Sequence, residues 1–340
     1  MDRTHLSRKR RYRSLRAPFV LGGVSIAIVA VLGWWMSGSE PSEPGAAEIA
    51  GARHADAGDQ TARQVRPARP DDPIERGAQP AVVPAATPAE RASRIEAAAK
   101  AAQRALDKDD ILTAQVQMSA ALRAGATGEQ ATELRAKLVQ LANKVVLSPA
   151  RIPGDPRTAT YLVKRGDNLQ KIAKAFDVTA ELIAKINNLR NMSMIREGAR
   201  LKVTRGPFSL LVYKGQHVAD AYLGDVLVRT YRVGLGKHAS TPTGTWRVKN
   251  KLTNPTYFPP RGGKIVQADD PNNPLGEHWL GLEGVSGEAK SQVRYGIHGT
   301  NEPESIGKDL SLGCIRLHNE DVAELYTLLV VGKSQVTIQE

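Results

Sequence analysis

The spacing of apolar residues divides the chain into a helical part and a part built from strands. Between residues 88 and 147 apolar residues recur at helical spacing, as Ile95, Ala98 and Ala102 do. From Phe208 onward the pattern changes to alternation with β-branched runs such as SLLVYKG and VLVRTYRVG. The sequence therefore predicts two or three helices and, later in the chain, a mainly β domain.

One helix is predicted near the end of the β-rich part. It runs from about Glu320 to Val330, with Asn319 as its cap and Gly332 as its stop. Glu320 and Asp321 stand in its first turn. We expect this helix to pack beside the strands.

Residues 159–204 have a different order of elements. A short strand pattern is followed by a Gly166-Asp167 turn, two short apolar helices, an Asn-rich loop and a closing strand from Arg200 to Val203. The predicted order is strand, helix, helix, strand. Three prolines in residues 148–158 mark a domain boundary before it.

The N-terminal region has the composition of a membrane anchor followed by a tether. Residues 17–36 carry no charge, and at 1.5 Å per residue they span about 30 Å, the thickness of a bilayer core. The basic segment 1–16 precedes them and Trp34 and Trp35 lie near their end, which predicts a cytoplasmic tail and an exported remainder. A cleaved signal peptide fits the same pattern. Residues 37–87 hold few large apolar side chains, so we expect a disordered linker.

The role of the helical segment 88–147 stays open in the sequence. Its amphipathic stripes fit an α-helical spacer, because such stripes usually reflect packing. They also fit a helical hairpin that binds a protein partner.

The net charge of +12 does not indicate nucleic-acid binding. In the segment 1–16, seven basic residues and one acidic residue, Asp2, together supply half of this net charge. The other half is spread along the chain without interleaved aromatic residues. A polyanionic cell wall is a more natural neighbour. The single cysteine excludes an intramolecular disulfide.

The residues RYGIHGTNEPESIGKDLSLGCIRL contain a candidate nucleophile and base. His298 ends a short β run, and Cys314 follows after a loop in which Gly299, Gly307 and Gly313 let the chain fold back. A thiol is mostly protonated at neutral pH, so a nearby imidazole is needed to take its proton. A cysteine considered alone is more often an inert buried residue.

Neighbouring residues are candidates for binding the substrate. Backbone N–H groups around Gly313 and Cys314 are suited to stabilising an oxyanion, because glycine allows close approach of a substrate. Gly299 belongs to the same candidate region. Arg316 is a candidate for holding a substrate carboxylate.

The segment YLVKRGDNLQKIAKAFDVTAELIAKINNLRNMSMIREGARLKV resembles the LysM module. The resemblance implies binding to glycan that contains N-acetylglucosamine, such as peptidoglycan. Gly166, Asp167, Asn187 and Asn188 are the candidate sugar contacts. The alternative is that the two asparagines simply cap and terminate the second helix.

Several motifs in residues 206–340 resemble the L,D-transpeptidase catalytic (YkuD-type) family, namely TPTGTW, PTYFPP, NPLGEHWLGL, IHGT and SLGCIRL. The resemblance implies a β-sandwich-like fold, Cys314 as nucleophile, His298 as proton acceptor and donor, and no metal or nucleotide cofactor. Ser311 and Arg316 match positions of the family. Leu312 departs from the histidine that many members carry.

The resemblance implies an enzyme that joins peptidoglycan stem peptides by 3-3 cross-links or attaches proteins to the wall. With the anchor, it predicts a single-pass protein of the bacterial cytoplasmic membrane whose catalytic domain lies in the periplasm or wall zone. One alternative is an L,D-carboxypeptidase or endopeptidase that uses water as acceptor. Another is a catalytically inactive structural protein that binds peptidoglycan. The intact catalytic motif favours the enzyme.

Overall fold

The computed structural model describes residues 87–260 and 262–340. The predicted tail 1–16, the predicted anchor 17–36 and all of the linker except Thr87 lie outside the described residues. Among the helices that the structure describes, none has both the length and the apolar character needed to cross a bilayer.

Three helices open the described part of the chain, within the two or three that the sequence predicts. They are α1 (Pro88–Leu106), α2 (Ile111–Arg123) and α3 (Gly128–Val145). Thr87 and Glu90 form a reciprocal capping box at the start of α1. Asp110 caps α2 by accepting a hydrogen bond from the Thr113 N–H group.

The next four elements occur in the predicted order of strand, helix, helix, strand. They are β1 (Thr158–Leu162), α4 (Leu169–Ala175), α5 (Ala180–Ile186) and β2 (Arg200–Thr204). The two strands pair antiparallel. Asn168 and Thr179 cap the two helices with their side chains, which explains why each short helix begins where it does.

The remaining chain is mainly β, as predicted. Its elements are β3 (Phe208–Tyr213), β4 (Val218–Leu223), β5 (Val226–Arg232), β6 (Leu235–Gly236), β7 (Gly244–Thr253), β8 (His278–Ser286), β9 (Tyr295–His298), β10 (Asp309–Ser311), β11 (Ile315–Arg316), α6 (Asn319–Leu328) and β12 (Gln335–Gln339). Eight strands form one sheet in the order β11-β9-β8-β7-β12-β3-β4-β5, and β10 pairs with β6. The C-terminal strand β12 thus lies in the middle of the sheet, between β7 and β3.

The predicted cap of the late helix is wrong. Asn319 is the first residue of α6, His318 occupies the cap position, and its side chain makes no capping hydrogen bond. The Asn319 side chain instead accepts a hydrogen bond from the Thr300 N–H group at 2.9 Å and donates one to the Thr300 carbonyl at 3.1 Å. This long-range pair competes with the local cap and ties the helix to the loop after β9.

The helices α2 and α3 pack on one face of the sheet, and α1 packs against α2. Their small and aliphatic side chains bury the outward face of β3, β4 and β5, including Leu211, Tyr213, Tyr222 and Leu227. Arg135 of α3 forms a buried ion pair with Asp220 of β4, with Nε 3.0 Å from Oδ2. The helical segment is therefore a layer of the folded protein, a role that neither sequence interpretation specifies.

Polar contacts also join the strand–helix–helix–strand module to its neighbours. Lys202 is buried and donates hydrogen bonds to three carbonyls at the end of α3 and just beyond it. Glu324 of α6 accepts from Lys185 of α5 at 2.9 Å and from Arg229 of β5 at 2.8 Å. Arg229 in turn reaches Asn143 of α3.

Candidate active site

Parallel pairing of two short strands brings the candidate nucleophile and base together. β9 ends in His298, and β11 begins directly after Cys314. Their register places Ile297 opposite Ile315 and His298 opposite Arg316. As a result, Cys314, His298 and Arg316 all line one pocket of about 500 Å³.

Another part of the pocket lining comes from the long connection between β7 and β8. Within this connection, Tyr257 and Val266 form an antiparallel β-bridge. It contributes apolar groups, among them Phe258, Pro259 and Leu275, whereas the β9–β11 side contributes the thiol, the imidazole and a guanidinium. The pocket is therefore suited to a substrate with apolar and anionic parts.

The Gly299 carbonyl fixes the tautomer of the His298 imidazole. Nδ1 lies 2.6 Å from the Gly299 carbonyl oxygen, which only accepts hydrogen bonds, so Nδ1 carries the proton and Nε2 has the free lone pair. Burial lowers the pKa of His298 to about 4; the Gly299 hydrogen bond opposes the shift, and the Arg316 charge adds to it. The imidazole is therefore neutral at pH 7 and able to accept a proton.

Cys314 reaches the pocket surface but is largely surrounded by protein. Its Sγ lies 4.0 Å from the Arg294 carbonyl. Burial raises the pKa of the Cys314 thiol, while the Gly296 N–H group and the Arg316 charge act in the opposite direction. At pH 7 the two groups consequently rest as a neutral thiol and a neutral imidazole in the lining of the same pocket.

The loop before the nucleophile is fixed by side chains. Ser311 Oγ accepts a hydrogen bond from the Gly313 N–H group at 3.0 Å and donates one to the Cys314 carbonyl at 2.7 Å. Thr241 donates to the Gly313 carbonyl at 2.8 Å. The Gly313 N–H group is thus already engaged, which contradicts the expectation that it is available as an oxyanion donor. The Cys314 N–H group is the other donor that the sequence indicates.

Gly313 has a steric reason to be glycine. Its φ is +133°, and a methyl group there would lie 2.8 Å from Cε1 and 2.9 Å from the hydroxyl oxygen of Tyr295. Tyr295 in turn donates a hydrogen bond to the Ser240 carbonyl. The sequence does not reveal these contacts of Tyr295 and Thr241, although Thr241 lies in the TPTGTW motif and Tyr295 directly precedes the GIHG residues.

Arg316 and Gly299 occupy different positions in the site. Arg316 Nη1 contacts Glu302 at 2.9 Å, but its buried Nε has no hydrogen-bond partner among the described residues. The Gly299 N–H group donates to the His278 carbonyl at 3.4 Å, so Gly299 acts on the site through its carbonyl. Within residues 87–260 and 262–340, no three histidine, cysteine or carboxylate side chains converge into a metal site.

Comparison with known sequences assigns the family. The L,D-transpeptidase catalytic domain (YkuD) matches residues 207–338. The chain is 36% identical over 186 residues to the putative L,D-transpeptidase YkuD of Bacillus subtilis, covering 53% of the chain and 98% of that relative. The chain belongs to the L,D-transpeptidase family.

Two further similarities complete the comparison of this L,D-transpeptidase. The putative L,D-transpeptidase YkuD of Bacillus licheniformis is 34% identical over 179 residues, covering 51% of the chain and 94% of the relative. Among solved structures, an L,D-transpeptidase from Mycobacterium smegmatis aligns with 18% identity and a TM-score of 0.32 over 42% of the chain and 64% of that structure.

The L,D-transpeptidase also carries a LysM domain, which matches residues 161–204. In it, Asp167 Oδ2 accepts hydrogen bonds from the Tyr161 hydroxyl at 2.9 Å and the Lys164 N–H group at 2.8 Å. Asn187 donates to the Ile183 and Lys202 carbonyls and accepts from the Lys202 N–H group. Both side chains therefore hold the module together.

The two remaining candidate sugar contacts are placed in turns. Gly166 has a φ of +80° and Asn188 a φ of +54°, both in the left-handed region. Asn187 is the C-terminal cap of α5, and Asn188 follows it and is exposed. Binding of sugar by these two residues stays a prediction.

Proposed function

We propose that this L,D-transpeptidase acts on peptidoglycan through a thioester formed on Cys314. The observation that carries the proposal is the β9–β11 pairing, which lines one pocket with the thiol, the neutral imidazole and an arginine. The Nδ1–H tautomer of His298 leaves Nε2 as the proton acceptor. A neutral thiol requires such a base at the moment of attack.

In the acylation step, Cys314 Sγ attacks the carbonyl carbon of the third residue of a tetrapeptide stem. The thiol proton passes to His298 Nε2, and the Cys314 N–H group donates to the oxyanion. Collapse of the tetrahedral intermediate breaks the peptide bond, and the amine of the terminal D-alanine leaves with the proton from His298. The product is a thioester on Cys314.

In the second step, an amine of another stem attacks the thioester. Its proton passes to His298 and then to the departing Sγ, which restores the thiol and forms a 3-3 cross-link. An amine of a wall-attached protein gives protein anchoring by the same chemistry, and water gives hydrolysis. Arg316 holds a carboxylate of the stem, a role supported by the place of its guanidinium in the pocket lining.

The other parts of the chain place this site at the cell wall. The LysM domain binds peptidoglycan glycan, with Gly166 and Asn188 as the candidate contacts.

Residues 17–36 anchor the enzyme in the cytoplasmic membrane, which is supported by their lack of charge and the basic residues before them. A protein partner of the helical segment would meet its outer face, since the inner face covers the sheet. Membrane fractionation of the full chain tests the anchor, and recovery in the soluble fraction would contradict it.

Product analysis tests the reaction. The full chain, His298→Gln and the control His318→Gln are incubated with a disaccharide-tetrapeptide, and products are separated by chromatography. We expect a dimer lacking one D-alanine from the wild type and from His318→Gln, and at least a hundredfold less from His298→Gln. Tripeptide alone would establish hydrolysis instead, and no product with retained sacculus binding would establish a structural protein.

A further inference from the structure

The imidazole of His298 is covered on one face by the indole of Trp279. The two rings are nearly parallel, with 20° between their planes and 5.7 Å between their centroids. The register of β8 and β9 fixes this arrangement, because Trp279 and His298 are directly opposed across the two strands.

Glycines on the same two strands make room for the indole. A methyl group on Gly296 would lie 2.4 Å from Cζ2 and 2.5 Å from Cη2 of Trp279. A methyl group on Gly281, which is paired with Gly296, would lie 3.0 Å from Trp279 Nε1 and 2.0 Å from Asn250 Oδ1. The strands therefore admit Trp279 only because both positions lack a side chain.

His298 is held from two directions by contacts of different kinds. The Gly299 carbonyl binds the Nδ1 edge at 2.6 Å, but one hydrogen bond leaves the ring free to tilt about it. The Trp279 indole restrains the plane of the ring and excludes water from that face. Given the proposed function, we propose that Trp279 is a positioning residue that fixes the His298 ring plane and keeps the base dry.

Exclusion of water from His298 affects both proton transfers of the proposed reaction. An imidazolium in a dry environment is a stronger acid than one in water, because burial disfavours its charge. His298 therefore holds the thiol proton only briefly and returns it readily to the leaving amine of D-alanine. Trp279 lines the same pocket, so a bound stem peptide lies against the indole and extends the dry region.

The test measures the titration of His298 in the full chain. Replacing Trp279 by Ala admits water to the ring face, so the His298 resonances should titrate at clearly higher pH than in the wild type, whose pKa is about 4. Loss of the indole face also removes a cation–π contact, which acts in the opposite direction but is smaller than the effect of hydration. Trp279→Phe keeps an apolar ring on the imidazole and should titrate like the wild type.

A kinetic measurement accompanies the titration. The acylation rate at pH 5 relative to pH 8 should fall about three- to fivefold further for Trp279→Ala than for the wild type, as more His298 becomes protonated. Gly296→Ala should act in the same direction, because its methyl group displaces the indole. It also provides the test if Trp279→Ala does not fold.

The outcomes are distinct. A folded Trp279→Ala or Gly296→Ala chain in which His298 titrates as in the wild type would overturn the positioning role. The nuclear magnetic resonance titration needs no substrate, so it can support the role of Trp279 even if the proposed reaction fails.

Discussion

Burial shifts the pKa values of the Cys314 thiol and the His298 imidazole in opposite directions. It raises the pKa of the Cys314 thiol and lowers the pKa of the His298 imidazole to about 4. Both shifts disfavour charge, so the pair rests as thiol and imidazole, in contrast to a preformed thiolate–imidazolium pair. Proton transfer then occurs during attack on the substrate.

Alkylation kinetics distinguish the two resting states. The chain has one cysteine, so iodoacetamide labels Cys314 alone. We expect the alkylation rate to rise steadily with pH into the alkaline range, since only the thiolate reacts and its pKa is raised. A constant high alkylation rate between pH 5 and 8 would indicate a thiolate–imidazolium ion pair and contradict the neutral thiol and imidazole.

The same histidine makes stability depend on pH. Its folded pKa of about 4 lies below the unfolded value near 6.5, so the unfolded chain binds the proton more tightly and stability falls as pH drops from about 6.5 to 4. Between pH 8 and pH 5 we expect His298 to cost about 2 kcal/mol. Urea unfolding at both pH values should show this loss in the wild type and a correspondingly smaller one in His298→Gln. Equal losses of stability in the wild type and in His298→Gln would refute this contribution of His298.

Sequence motifs indicate His298, Cys314, Ser311 and Arg316 as candidates, and the structure places all four in the lining of one pocket. Thr241 and Trp279 lie in the motifs TPTGTW and NPLGEHWLGL, but the sequence does not show that they contact Gly313 and His298, because these contacts depend on the fold. The sequence also does not show that the Gly313 N–H group is engaged, because Ser311 accepts its hydrogen bond only in the folded loop.

At the level of elements, two short strands and one helix terminus shape the site. β9 and β11 are too short for alternation of apolar residues to reveal their pairing, which is parallel and depends on the fold. The sequence predicts Asn319 as the cap of α6, since asparagine favours that position. In the structure its amide binds the Thr300 backbone instead, beside Gly299 and His298.

Replacing Asn319 by Ala tests this link. The change removes both hydrogen bonds to Thr300, so we expect a loss of about 1–3 kcal/mol in unfolding free energy. Glu320→Ala, at the next position of the same exposed turn, is the control and should stay within about 0.5 kcal/mol of the wild type. Chemical denaturation measures both, and equal small effects would show that the Asn319 contacts contribute little.

At the scale of the molecule, the helical segment and the catalytic sheet share one core. The periodicity of residues 88–147 indicated helices with apolar stripes but not what those stripes cover. The structure shows that they cover β3–β5, including two tyrosines, and that Arg135 pairs with Asp220 there. The helical segment therefore buries one face of the catalytic sheet.

A truncation experiment tests this dependence. A chain that begins at residue 150 loses α1–α3 and exposes the aromatic and aliphatic face of β3–β5, so we expect it to bind a hydrophobic dye and to unfold at a lower temperature. A chain that begins at residue 87 retains the three helices and is the control. Equal unfolding temperatures for the two chains would show that the helical layer is dispensable.

Intact-mass spectrometry tests the central claim most directly. The full chain and its Cys314→Ala variant are mixed with a disaccharide-tetrapeptide and quenched at short times. We predict that the wild type alone gains the mass of the donor less D-alanine, as a thioester on Cys314 requires. Turnover by Cys314→Ala, or turnover by the wild type with the acyl group on another residue, would contradict the mechanism.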